Sequence, residues 1–218
     1  MSFRNLRLPV IQAPMFLLSG PEMVIASCRA GIVGSFPSPN ARTIDELEQW
    51  LLSITEALAD SPQAAPWALN LVMHRSNPRR LEDLQLAVKY RAPIVITALG
   101  SPDEAVDAVQ AYGGKVYADV TTIEFARRAA ASGVDGLALV CCGAGGHTGQ
   151  LSPFAFIDEV RQFFDGEIIL SGAIGNGRAI RAAQILGADY VYMGTRFIPT
   201  EESLAQTDYK TMVVESNG

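Results

Sequence analysis

The feature that most constrains this chain is a rhythm: short apolar runs alternate with longer amphipathic runs eight times, almost end to end. "LPVIQA" (8–13), "IVGSF" (32–36), "WALNLV" (67–72), "PIVITAL" (93–99), "KVYADVT" (115–121), "DGLALVC" (135–141), "EIILSG" (167–172) and "DYVYMG" (189–194) read as strands. Most are apolar at consecutive positions, the pattern of parallel strands covered on both faces. Between them, residues 20–31, 43–59, 77–90, 101–114, 122–133, 152–164 and 177–187 repeat apolar positions at helical spacing, and "TEESLAQ" (200–206) is predicted to start an eighth helix. Thr43 with Glu46 forms the spacing of a capping box, and Asn77–Pro78 reads as a cap followed by proline in the first turn.

Eight such units predict an α/β fold, a (β/α)8 TIM barrel over residues 1–206, whose site lies at the C-terminal ends of the strands. Residues 207–218 are expected to begin a C-terminal helical segment that continues beyond this chain. A doubly wound open sheet is the competing architecture. It would carry a glycine-rich dinucleotide fingerprint after the first strand, where this chain has "QAPMFLLSG".

The chain has 218 residues, 49% of them hydrophobic and 18% charged, with a formal net charge of −6. That is an ordered composition without a basic stripe for nucleic acid. Arg75, Arg79 and Arg80 are the densest basic patch and read as a solvated helix start. No run approaches the roughly 18 apolar residues of a membrane span, so a soluble cytoplasmic protein is expected. Cys28, Cys141 and Cys142 have neither disulfide-framework nor metal spacing, and Cys141 and Cys142 read as small core residues. His74 and His147 are the only histidines, and without a third or a carboxylate cluster no metal site is expected.

Ligand chemistry gathers where strands give way to loops. "GAIGNG" (172–177) after the seventh strand and Gly194–Thr195 after the eighth place small residues on adjacent strand ends, a backbone nest suited to phosphate. "QAPMF" (12–16) ends the first strand, with Met15 as a polarisable wall for a flat ring. Gln12, Asn70 and Asp119 interrupt apolar strands, and the Asn70 amide offers a donor and an acceptor to a heterocycle edge. Asp119 has two structural alternatives, pairing with Lys115 or capping the helix near Thr122. His147 follows Gly145 and Gly146 and is the one candidate acid or base near neutrality. A flat, phosphate-bearing ligand suits this set. Flavin mononucleotide fits best, a nucleotide substrate remains open, and pyridoxal phosphate lacks a clearly placed lysine among Lys89, Lys115 and Lys210.

"VIQAPM" at the start, "AGGHTG" (144–149), "LSGAIGNGRAIRAAQILGAD" (170–189) and "YMGTRFIPTEES" (192–203) resemble the nitronate monooxygenases, formerly called 2-nitropropane dioxygenases. The resemblance runs through the whole chain, although AGGH alone is shared with flavin-dependent enoyl-ACP reductases. It implies an FMN-binding barrel that oxidises alkyl nitronates with molecular oxygen to carbonyl compounds and nitrite, without a metal. It carries the role beside flavin and nitronate to His147, and flavin contacts to Ala13, Pro14, Met15, Asn70 and Gly146. Phosphate binding falls on Gly172, Ala173, Gly194 and Thr195, and a homodimer is in keeping with the family. Two positions depart from the pattern. Ala173 replaces the second glycine of a pair, with its N–H expected to stay available. Asp119 stands where some members have lysine, which leaves its flavin contact open. Enoyl-ACP reduction and non-catalytic FMN binding are the rival functions.

Overall fold

A computed structural model describes residues 6–146 and 148–216. Among these residues the chain forms eight parallel strands and eight α-helices in strict alternation. The strands are β1 (Val10–Gln12), β2 (Gly34–Pro37), β3 (Trp67–Val72), β4 (Ile94–Ala98), β5 (Lys115–Val120), β6 (Gly136–Val140), β7 (Glu167–Ser171) and β8 (Tyr190–Met193). The helices are α1 (Pro21–Arg29), α2 (Ile44–Ala59), α3 (Arg80–Lys89), α4 (Asp103–Gln110), α5 (Ile123–Ala131), α6 (Pro153–Arg161), α7 (Gly177–Leu186) and α8 (Thr207–Glu215). The expected (β/α)8 barrel is therefore the fold, and no described helix is long and apolar enough to cross a membrane.

The consecutive apolar runs are explained by two buried layers. Ile11, Val33, Ala68, Ile94, Ile96, Tyr117, Ala138, Ile169 and Tyr192 fill the barrel. The alternate residues, such as Leu69, Val95, Val116, Leu137, Ile168 and Val191, pack outward beneath the helices. Lys115 and Glu167 form an ion pair of 2.7 Å at the N-terminal end of the interior, joined by the Tyr117 and Tyr190 hydroxyls.

Seven strand neighbours are joined by backbone ladders, but β1 and β2 meet through a single bridge, Ile11 to Val33. Gln12 supplements that seam. Its Oε1 accepts from Ser35 N at 3.0 Å and its Nε2 donates to Ser19 Oγ at 3.0 Å, while its backbone carbonyl takes the Ser35 hydroxyl. This fully buried amide is committed to the frame of the barrel and not to a ligand.

Three local expectations are corrected. The segment 200–206 forms turns, and the eighth helix starts at Thr207, because Ser203 N bonds back to Thr200 O and Leu204 N reaches across to Leu18 O. The third helix starts at Arg80 and not at Pro78, because Asn77 turns onto itself: its Oδ1 accepts from Arg79 N at 3.1 Å. Arg79 is no solvated charge. It donates to Ala41 O and pairs with Asp83, a buried carboxylate that also accepts from Ser38 Oγ at 2.7 Å. Together these groups tie α3 to the loop after β2. Thr43 caps α2 as expected, accepting from Glu46 N at 3.1 Å, while Glu46 reaches back one residue further, to Arg42 N.

Candidate functional site

The C-terminal ends of the strands surround one mouth, and the parallel register sets which residues meet there. Gln12 lies opposite Met193, Ser171 opposite Tyr192, and Val140 opposite Ser171, so the segments after β1, β8, β7 and β6 are neighbours. Ala13 N continues the β1–β8 ladder to Met193 O at 2.9 Å. Met15 then turns over the end of β8, where a Cβ on Gly194 would lie 3.4 Å from the Met15 sulfur. Pro14 links the two, and Ala13, Met15 and Gly194 thus form one small-sided wall.

The loop carrying Met15 is held by a residue that nothing in the sequence singled out. Asn40 is buried; its Oδ1 accepts from Leu17 N at 2.8 Å, and its Nδ2 donates to Met15 O at 3.0 Å and Ser19 O at 2.8 Å. Leu17 takes a φ of 65°, a left-handed conformation costly for a branched residue, and the Asn40 bond to its N–H stabilises it. Replacing Asn40 with alanine leaves buried backbone groups unpaired. We expect a loss of about 2–3 kcal/mol in denaturation experiments.

The β7 and β6 loops interlock. Gly172 has φ +135°, and a Cβ there would meet Cys142 O at 2.7 Å, so glycine is required by the loop packing as well as by any phosphate. Ala173 adopts φ 55° and donates its N–H to Gly143 O at 3.0 Å. The expectation that this amide stays available is therefore corrected: the left-handed turn points it at the neighbouring loop. Open backbone lies further along. Among the described residues nothing comes within 4 Å of a Cβ built on Gly145, Gly146 or Gly177. Gly177 opens α7, whose cap Asn176 accepts from Ala179 N at 3.0 Å. Gly175 and the exposed Thr195 face the same region, bridged by Arg196, whose Nε donates to Gly175 O at 2.8 Å. Arg196 was missed as a candidate; its place in "GTRF", two residues after the glycine that follows β8, was the available signal.

The cysteines separate. Cys141 is buried, and desolvation pushes its thiol up to about 12, so it is a protonated core side chain. Cys142 is exposed, contrary to the core reading; its N–H donates to Leu151 O at 2.9 Å. Gly146 and Thr148 flank His147, which itself lies outside the described residues.

Within the mouth, Asn70 and Asp119 come together. Asn70 Nδ2 donates to Ile96 O at 3.2 Å and approaches Asp119 Oδ2 at 3.5 Å, so its donor side is already engaged within the barrel. Tyr192 donates its hydroxyl to Asp119 Oδ1 at 3.3 Å. Desolvation raises the Asp119 carboxyl from its ordinary value to about 7, opposed by the Tyr192 hydrogen bond. Both structural alternatives for Asp119 fall away: Lys115 pairs with Glu167 at the opposite end, and Thr122 caps α5 with its own hydroxyl, accepting from Phe125 N at 3.2 Å.

The nitronate monooxygenase family model matches residues 63–218, which include Asn70, Asp119 and every loop from β6 to β8. The chain belongs to that family. It is 29% identical over 203 residues to (3aS,4S,5R,7aS)-5-hydroxy-7a-methyl-1-oxo-octahydro-1H-indene-4-carboxyl-CoA dehydrogenase of Rhodococcus jostii, covering 93% of this chain and 55% of that protein. It is also 29% identical over 248 residues to nitronate monooxygenase of Pseudomonas aeruginosa, covering 93% of this chain and 69% of that protein. FabK from Thermotoga maritima superposes with a TM-score of 0.87 at 25% identity, over 98% of this chain and 66% of that one. The chain thus spans little more than half of the dehydrogenase it matches.

Proposed function

We propose that this chain is an FMN-dependent oxidoreductase that oxidises alkyl nitronates with molecular oxygen to carbonyl compounds and nitrite. One observation carries the reading: within the stretch that matches the family, the segments after β6, β7 and β8 converge on one mouth with open, Cβ-less backbone at Gly145, Gly146 and Gly177. The residues present fit a phosphate-bearing flavin. The start of α7, Gly175, Thr195 and the Arg196 guanidinium would hold the phosphate through N–H donors, the helix end and positive charge. Met15, beside Gly194, would border the ring, and Ala13, Pro14, Asn70 and Asp119 would line its lower edge.

Bound FMN supplies a two-electron acceptor that returns electrons to oxygen. The chain's own contribution is positional. His147 would hold the nitro group of the substrate by a hydrogen bond and offset charge as it redistributes. An alkyl nitronate arrives deprotonated, so no strong base is needed; the same imidazole is suited to take the proton of a neutral nitroalkane. The apolar barrel below the mouth, closed by Ile96, Ala138 and Ile169, keeps water from the underside of the site.

The test is anaerobic mixing of FMN-loaded protein with propionate-3-nitronate or ethyl nitronate, followed by admission of oxygen. Bleaching of the oxidised flavin spectrum and then nitrite release is the expected result. An unchanged spectrum with several nitronates rejects the reading. A second reading, flavin-dependent reduction of an enoyl thioester, gains support from the fold shared with FabK and from a relative named as a carboxyl-CoA dehydrogenase. NAD(P)H consumption with an enoyl thioester, and none with nitronate, selects it. Bound FMN without either turnover marks a non-catalytic flavin protein.

A further inference from the structure

Among the described residues, the barrel interior holds one acidic side chain towards its C-terminal end, Asp119. β5 turns Lys115, Tyr117 and Asp119 inward in succession, and only one further strand residue, Val120, follows. Asp119 is thus the uppermost inward side chain of its strand. Whatever closes the mouth rests on the layer it shares with Asn70 and Tyr192.

Its surroundings do little for a negative charge. Across the sheet it lies opposite Ala138 of β6, itself opposite Ile169 of β7, and the apolar Ile96 and Ile11 share the barrel interior. β3 presents the neutral Asn70 amide at 3.5 Å, and β8 the Tyr192 hydroxyl at 3.3 Å. Tyr192 is itself pushed well above its ordinary value by burial and by Asp119, so it remains a neutral donor. Lys115 and Glu167 are paired with each other at the far end of the barrel, and His74 is turned to Ser76 on the outer loop. Among the described residues, then, no cation faces Asp119, and its two hydrogen bonds are long.

We propose that Asp119 takes up a proton when FMN binds, so that cofactor affinity is linked to pH through its carboxyl. This rests on the FMN reading above. Without ligand, the open mouth lets water reach the half-buried carboxylate. A flavin covering the mouth removes that water and brings a dianionic phosphate into the same site, and both effects disfavour the charged form. The carboxyl, already raised to about 7 by desolvation, then rises further. Below that pH it is protonated in both states and contributes no pH dependence. Above it, the free protein is ionised and the complex is not, so binding draws a proton from solution and weakens as pH rises, by about tenfold per pH unit.

The experiment is calorimetric titration of apoprotein with FMN at pH 8 in two buffers of different ionisation heat, with affinity measured by flavin fluorescence from pH 6 to 9. The wild type is expected to take up close to one proton per FMN and to lose affinity through the upper half of the range. In Asp119→Asn, whose amide is neutral at every pH, the FMN binding that is measured, whatever its strength, should show no such uptake and no such decline. Tyr192→Phe removes the donor that favours the carboxylate and should displace the window upward. The second ionisation of a phosphate monoester lies near pH 6, below the window, and riboflavin controls for it. Equal proton uptake in wild type and Asp119→Asn overturns the proposal while leaving the FMN reading intact. Failure of the folded wild type to bind FMN at any pH overturns the FMN reading itself.

Discussion

Replacing His147 with alanine is expected to lower nitrite release from nitronates by a factor of about 10²–10⁴, the range associated with loss of one positioned proton-handling or charge-stabilising group. The imidazole in "AGGHTG" is flanked by glycines and by Thr148, whose hydroxyl donates to Cys141 O at 3.0 Å. This anchors the far side of the loop to the end of β6. Removal of the ring should leave the thermal transition nearly unchanged while flavin reduction slows. His147→Gln, which retains a hydrogen-bond donor, should recover part of the rate with an anionic nitronate but little with a neutral nitroalkane. If alanine reduces flavin as fast as the wild type, the histidine has no part in the reaction and the resemblance has been carried too far.

The second large effect concerns folding. Gly34→Ala should destabilise the barrel by at least about 3 kcal/mol, or prevent recovery of folded protein. A Cβ at this position would lie 2.4 Å from Val24 O, 2.8 Å from Val24 Cα and 2.9 Å from Val24 C. These are backbone atoms of α1, buried against β2, and no rotamer change relieves them. The control is Gly113→Ala. Its φ of +84° carries a left-handed cost of about 1–2 kcal/mol, but no described atom lies within 4 Å of the added methyl. Chemical denaturation of both variants separates steric exclusion from conformational strain. Equal midpoints would mean that α1 shifts readily on β2.

The architecture was readable because the strands are covered on both faces, so most of them announce themselves as nearly continuous apolar runs. The eighth helix was misplaced for a physical reason: "TEES" has the composition of a helix start, but Leu204 N bonds to Leu18 O, a partner far away in sequence. The same limit applies at the site. Glycine-rich strand ends were visible as a nest, yet the destination of the Ala173 N–H depends on a φ of 55° and on the β6 loop beside it. Asn70 and Asp119 were visible as polar interruptions, while their meeting with Tyr192 follows from barrel closure across three different strands. Asn40 gave no signal beyond its turn, since its three partners all lie more than twenty residues earlier.

The seam between β1 and β2 has a consequence for how such a ring can change. The other junctions are written in peptide groups, which every residue but proline carries, and are therefore nearly indifferent to substitution. This one has only two such bonds, Gln12 N to Val33 O and Val33 N to Val10 O, and is reinforced by the Gln12 side chain and the Ser35 hydroxyl. A single codon change at Gln12 can thus loosen the ring at this junction. Because Ala13 and Met15 follow directly on Gln12, the residue that clasps the barrel also sets how firmly the first wall of the mouth is mounted.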